Sequence, residues 1–249
     1  MTEPPRLGPP ASRLILAEEV VVVLALSLLA SAVFAVINLL SAPLAGVQAF
    51  VYDTSGLPTQ LAEIVFGLAP VALVLHLIRR SGEGFRSFGL GPVAIREDAG
   101  YGLLLGVAVS TVGLGIYVGS VALKVNRFVV PVPPLHHWWT VPVLVLGAIQ
   151  AGLLEEVIVT GYLIRRLQQL GWAGVAAVIG SATLRGSYHL YQGWGGFVGN
   201  FALGIVFGWI FLRWRRTWPL VVAHAFVDVL SGVAYIVFRG HCVFGACIK

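Results

Sequence analysis

The stretch GLLEEVIVTGYL, Gly152 to Leu163, sets two adjacent glutamates inside an apolar run. VPVLVLGAIQA (141–151) precedes it, so a helix through the whole segment is long enough to cross a bilayer. An ionised carboxylate at mid-bilayer costs at least ~2.5–3.5 kcal/mol on insertion scales and is tolerated mainly where it is paired or does chemistry. Glu155 and Glu156 therefore raise the question of fold and the question of function together.

Working outward, the composition settles the class. Apolar residues make up 58% of the 249 residues and charged residues 11%, against about 25% charged in an average soluble domain. Mean hydropathy is +0.90. The chain reads as all-α, a polytopic transmembrane helical bundle. Its formal charge of +5 is carried almost wholly by arginine, Lys124 and Lys249 being the only lysines. Arginines at helix ends report topology, and nothing in their arrangement suggests a nucleic-acid partner.

Seven segments have the length and apolarity expected of spans, roughly 15–40, 59–78, 99–123, 139–164, 172–191, 196–213 and 217–238. IRRSGEGFRSFGLGPVAIRED, IRRLQQLG and LRWRRTW follow the even-numbered spans, and the other connections carry fewer positive charges. The positive-inside bias then puts the N-terminus in the cytoplasm and the C-terminus outside, in a multi-pass cell-membrane protein. Trp138, Trp139, Trp172, Trp194 and Trp218 fall near span ends, as an aromatic belt should. Four regions follow: a polar lead at 1–14 without a cleavable signal pattern, helices and loops at 15–137, a helical core at 138–238, and a tail at 239–249. In the tail, Cys242 and Cys247 could close a small disulfide loop in an oxidising compartment or remain separate thiols.

Three late spans carry polar pairs at helical spacing. Glu156 and Thr160, Arg185 and His189, and His224 and Asp228 are each four apart. Each pair shares a helix face, and such stripes can converge only in a bundle interior. Glu155, Glu156, His189, His224 and Asp228 together form an acid/base set. A glutamate in a low-dielectric pocket suits a general base for water, and a histidine can donate to a developing oxyanion. The same residue types can bind a divalent metal such as zinc. Glu18, Glu19 and Glu63 lie near span starts and read as interfacial. Gly196, Gly199 and Gly204 allow close packing within the bundle, with Asn200 as an interhelical hydrogen-bond donor.

Several intramembrane chemistries are excluded by motif. There is no His-Glu-x-x-His, no Gly-x-Ser-x-Gly around Ser187, and no Gly-x-Gly-Asp. A proton-linked transporter also uses intramembrane Glu, His and Asp, but paired broken helices and an internal repeat are missing from the sequence.

EEVIVTGYL, SATLRGSYH and HAFVD resemble, in order and spacing, the three motifs of the CPBP (Abi) family. That family comprises CAAX-prenyl-endopeptidase-like intramembrane proteases and bacteriocin-immunity proteins. The resemblance covers roughly residues 138–235, and RGSYHLYQG is especially similar to actinobacterial members. It implies a bacterial membrane endopeptidase acting on a membrane-embedded or lipid-modified peptide or protein. Glu155 would be the base for water, assisted by His189. His224 and Asp228 would stabilise the oxyanion, and Glu156 would orient the site. A non-catalytic immunity or binding role is the alternative within the family.

Two positions depart from the family pattern. Thr160 stands where the family has arginine, and Arg185 stands where it has an aromatic. These changes read as linked: Arg185 would supply the countercharge to Glu156 that position 160 no longer supplies, through a bidentate pair. No tightly bound catalytic metal is expected; if one were present, His189, His224, Asp228 and Glu155 would be its ligands. In upright helices the three stripes would not meet at one depth, so a tilt, a kink or a water-filled vestibule is required.

Overall fold

The computed structural model describes residues 13–41, 48–50, 56–131, 137–238, 242–243 and 246–247. Two short helices come first, α1 (Arg13–Ala25) and α2 (Leu28–Ser41), bent by 55°. At the bend the Ser27 hydroxyl donates to the Val23 carbonyl at 2.7 Å, a back-bond that competes with the helical ladder. Helices α3 (Leu57–Gly67) and α4 (Ala69–Arg80) form one span interrupted at Leu68. Pro70, in the first turn of α4, has no N–H to continue the ladder across that break. A long helix, α5 (Ile95–Ala122), follows.

The fourth span is continuous from Thr140 to Gln169 but changes its winding on the way. It begins as α6 (Thr140–Glu155), passes through a π-helical segment at Glu156–Leu163, and ends as α7 (Ile164–Gln169). The remaining helices are α8 (Gly174–Tyr188), α9 (Trp194–Trp214) and α10 (Trp218–Phe238). Each segment read as a span is thus helical. Among the described residues, five are long and apolar enough to cross a membrane, or six if the bent α1–α2 pair counts as one. The helix that falls short is α8. Its 15 residues reach about 22 Å at 1.5 Å per residue, less than a ~30 Å hydrocarbon core.

The bundle is apolar outside, as lipid requires. Leu14, Phe34, Phe66, Leu104 and Trp209 are among its exposed large side chains. Its interior combines an apolar core with buried polar groups. Helices α8 and α9 pack closely because Gly204 has no side chain: a Cβ there would come within 2.9 Å of the Ala182 Cα. Trp138, Trp172 and Trp194 are exposed at helix ends, as a belt requires.

One end of the bundle is tied together by arginines. Arg216 makes a bidentate pair with the buried Asp98, whose carboxylate also accepts from the Ala94 N–H at the start of α5. Arg166 is wholly buried and bonds Glu19 of α1, at 2.9 Å, and Glu83 of the α4–α5 loop. Its guanidinium lies 5.0 Å from the Phe88 ring centroid and 5.2 Å from that of Tyr162. Glu19 is therefore an ion-pair partner inside the bundle end, not merely an interfacial residue. Burial alone would raise the Glu83 carboxyl, but the Arg166 guanidinium holds it below its ordinary 4.5.

Short strands were not part of the sequence reading. β1 (Gln48–Phe50) and β2 (Phe128–Val130) pair in parallel, with Gln48 opposite Phe128. β3 (Cys242–Val243) and β4 (Ala246–Cys247) pair antiparallel, with Cys242 opposite Cys247. The thiols of those cysteines lie outside the described side chains, as does most of the polar lead at 1–14.

Candidate active site

The three polar stripes meet. α6 and the π segment bring Glu155, Glu156 and Thr160; α8 brings Arg185 and, at its end, His189; α10 brings His224 and Asp228. Two features of the fold remove the mismatch in depth. The π turns place more residues in each unit of length than α turns, so Glu155 lies nearer to Arg165 along the axis than an α-helix would put it. In addition, α8 starts only at Gly174 and turns directly into a 3-10 segment, Leu190–Gln192, so that its last residues and not its middle reach the site. π-helical segments are rare and frequent at functional sites.

The adjacent glutamates have different surroundings. Glu156 is fully buried and saturated with partners. Its Oε2 accepts from the Thr160 hydroxyl at 2.7 Å and its Oε1 from Arg185 Nη1 at 2.6 Å. His224 Nδ1 lies 2.8 Å from the same Oε1 and 3.0 Å from Arg185 Nη2. A carboxylate only accepts, so where His224 bonds Glu156 its Nδ1 donates, and the approach of Arg185 Nη2 to that same atom is then a contact and not a second hydrogen bond. Arg185 is itself buried, with its guanidinium 5.4 Å from the Phe207 ring centroid. Arg185 does carry the charge facing Glu156, but not as the expected bidentate pair: only Nη1 bonds Glu156, and Nη2 lies 3.3 Å from Glu155 Oε2. Thr160 contributes a neutral hydroxyl and Arg185 the charge.

Glu155 instead borders open space. Its Oε2 accepts from the Tyr188 hydroxyl at 2.6 Å and lies 3.3 Å from Arg185 Nη2 and 3.8 Å from His189 Nε2. Its Oε1 is 4.0 Å from His224 Nε2, which in turn is 3.5 Å from Asp228 Oδ2. Glu155, His189, His224 and Asp228 all line a cavity of 1340 Å³, whereas Glu156, Thr160 and Arg185 lie behind its wall. The rest of the wall comes from α3, α5, α6, α9 and α10, the segment after α5 with β2, and the 3-10 turn with Tyr191 and Gln192, and it is mainly apolar, including Val109, Leu144, Leu203 and Leu230. This volume exceeds the ~300–1,000 Å³ usual for small-molecule pockets.

Some neighbours escaped the sequence reading. Tyr188 donates to Glu155 and is buried. It lies three residues after Arg185, on the same helix face, so helical spacing could have found it. Glu63 and Gln60 of α3 line the cavity, which corrects the interfacial reading of Glu63. Asn200 donates to the Gly196 carbonyl of its own helix and not across helices. Gly196 abuts the Gln192 side chain and the His189 carbonyl, so it serves the α8–α9 turn and not a contact between two long helices.

The donor set was also tested against a metal. Among the described residues no group of three or more His, Cys, Asp or Glu side chains is spaced to hold an ion.

Fold and site together define a multi-pass membrane protein with a cluster of carboxylates and histidines at the wall of a mainly apolar cavity. Residues 137–230 match the family model described as Type II CAAX prenyl endopeptidase Rce1-like, consistent with the CPBP/CAAX protease family. The matched segment takes in α6 to α9 and the site-bearing part of α10, and it leaves α1–α5 outside. No curated protein and no solved structure gave a significant match.

Proposed function

We propose that this protein is a CAAX-protease-like intramembrane endopeptidase that hydrolyses a peptide bond of a membrane-embedded or lipid-modified peptide with a glutamate-activated water. The supporting observation is the division of labour between the two glutamates. Glu156 is consumed by Arg185, Thr160 and His224, while Glu155 faces the cavity. Glu155 takes a proton from water as the oxygen attacks the scissile carbonyl carbon. Charge develops on the carbonyl oxygen; His189 donates to it through Nε2–H, and His224 does so through its own Nε2 when its ring carries both protons. When the C–N bond breaks, the proton held by Glu155 passes to the leaving amine. Glu156 and Arg185 keep His224 oriented throughout, with Asp228 beside its Nε2.

The arginine-tied end faces the cytoplasm in this reading, by the positive-inside bias. The start of α1 belongs to that end, because Arg13 approaches Gly171 in the α7–α8 turn. The last turns of α10 lie at the opposite end.

The test is cleavage by the purified protein in liposomes, on prenylated and unmodified membrane peptides, beside Glu155→Gln and with and without a chelator. Cleavage that is lost in the variant and survives the chelator supports the reading. Cleavage that persists in Glu155→Gln overturns the role of Glu155. Loss on chelation with restoration by one ion overturns the metal-free mechanism.

A further inference from the structure

The Gly-rich stretch YQGWGG (191–196) takes no part in the chemistry described so far, yet it is among the most heavily bonded turns in the molecule. A strap formed by Val125, Asn126 and Arg127, just after α5, lies across it. The Val125 carbonyl accepts from the Trp194 N–H at 3.0 Å, and the Arg127 N–H donates to the Gln192 carbonyl at 2.6 Å. Asn126 Oδ1 accepts from the Gly196 N–H at 2.9 Å. The buried Arg127 guanidinium donates to the Tyr191 carbonyl at 2.8 Å and to the Asn38 carbonyl of α2 at 3.0 Å. Gly193 has φ +109°, and a Cβ there would come within 2.6 Å of the Val125 carbonyl oxygen, so only glycine lets the strap close.

What this strap holds still is Gln192. Its Nε2 is 2.9 Å from the Tyr191 hydroxyl and 3.3 Å from His189 Nδ1. An amide nitrogen has two hydrogens to give and no lone pair to offer. With the amide nitrogen facing the ring, His189 Nδ1 accepts, and a neutral ring that accepts at Nδ1 carries its proton at Nε2. That Nε2 is buried, has no hydrogen-bond partner among the described residues, and lies 3.8 Å from Glu155 Oε2.

We infer that Gln192, immobilised by the Val125–Arg127 strap, is a positioning residue that fixes His189 as its Nε2–H tautomer. His189 thereby presents an N–H, not a lone pair, to the reacting groups. Its contribution is that of a donor, and proton abstraction falls to Glu155 alone. This rests on the proteolytic reading for its kinetic consequence but not for the tautomer itself. The strap comes from the end of α5, outside the segment matched to the family.

The experiment uses the full-length protein in detergent with ¹⁵N-labelled histidine, and His189 is assigned by comparison with His189→Gln. Long-range ¹H–¹⁵N correlations identify the tautomer of the neutral ring. The wild type is expected to show protonated Nε2 at His189. Gln192→Glu is nearly isosteric but offers only acceptors, so it should move the proton to Nδ1. Gln192→Leu, which offers neither, should give a mixture. In the cleavage assay Gln192→Glu should lower kcat about tenfold or more with little change in KM. Gln192→Met, of similar size and polarity-free, should match Gln192→Leu and not the wild type, which separates hydrogen bonding from packing. A wild-type His189 with its proton on Nδ1, or a tautomer unchanged in Gln192→Glu, overturns the inference. The expected tautomers in a protein that cleaves nothing support it while removing the proteolytic reading.

Discussion

Two buried arginines in this protein are each set between two carboxylates and against aromatic faces, yet only one of them belongs to the candidate active site. Arg185 bridges Glu156 and Glu155 beside Phe207. Arg166 bridges Glu19 and Glu83 between Phe88 and Tyr162. The charges, the bond types and the depth of the guanidinium are much alike. What separates them is the far side of the carboxylates. Glu155 opens onto a large apolar cavity with two histidines, whereas Glu19 and Glu83 join helix α1 and a loop to the end of α7. An arginine–carboxylate cluster is a fastener by default. It becomes a candidate active site where one of its carboxylates is left facing space that a substrate can enter.

The sharpest way to break that comparison is to neutralise the carboxylate that faces the cavity. Glu155→Gln should lower cleavage by at least about a hundredfold, the smaller end of what a general base contributes, while the melting temperature in detergent changes little. An unchanged kcat in a liposome assay would put Glu155 on a level with Glu19.

Next in size is Arg185→Leu. It strands Glu156 without its cation, and breaking a buried pair by removing one partner costs about 3–5 kcal/mol. Thermal unfolding should register that loss, and adding Thr160→Arg should recover part of it if the two positions exchange roles. Arg166→Leu is the matched control. It should also destabilise, but less, because Glu19 and Glu83 keep some access to water, and it should leave the cleavage rate per folded molecule unchanged. Equal losses of kcat in the two variants would erase the distinction.

Thr160→Val removes a single hydrogen bond to a charged acceptor, for which about 1.5–3 kcal/mol is usual. Chemical denaturation at neutral pH measures it.

The smallest effect belongs to Glu83. Its carboxyl is held below its ordinary 4.5 by Arg166, so its contribution is present above the unfolded value and is lost as pH falls through the lowered one. Glu83→Gln should therefore cost about 1 kcal/mol or less at neutral pH, the range for a partly exposed pair. The difference from wild type should vanish in acid, below the folded value. Melting curves from neutral to acid pH in the two proteins test the sign. A difference that grows on acidification would contradict it.

Much of the site was legible because its residues obey helical spacing within single apolar segments. Glu156 and Thr160, Arg185 and His189, and His224 and Asp228 each advertise a polar face where a lipid-facing helix should have none. Arg166 was not legible. In the sequence it is the second of two arginines at a helix end, which reads as an anchor in the headgroups. Its partners Glu19 and Glu83 are 147 and 83 residues away, beyond any local pattern. Tyr188, three residues after Arg185, was within reach of helical spacing, whereas Gln192 was not: a glutamine near a membrane boundary is ordinary, and only its contact with His189 distinguishes it.

By itself the sequence determined that the chain is a membrane-spanning helical bundle and that its polar residues converge late in the chain. Both follow from the cost of placing charge and unpaired backbone in hydrocarbon, which composition and period already record. The tertiary structure alone decided how the two adjacent glutamates divide, one saturated by Arg185 and one facing the cavity. It also decided that α8 stops at the site, so that its last residues meet the two glutamates, and that a strap following α5 holds the turn after His189. Each of these depends on the winding of a π segment, on where a helix stops, or on which distant side chain arrives. Those are outcomes of packing between elements, and no local period encodes them.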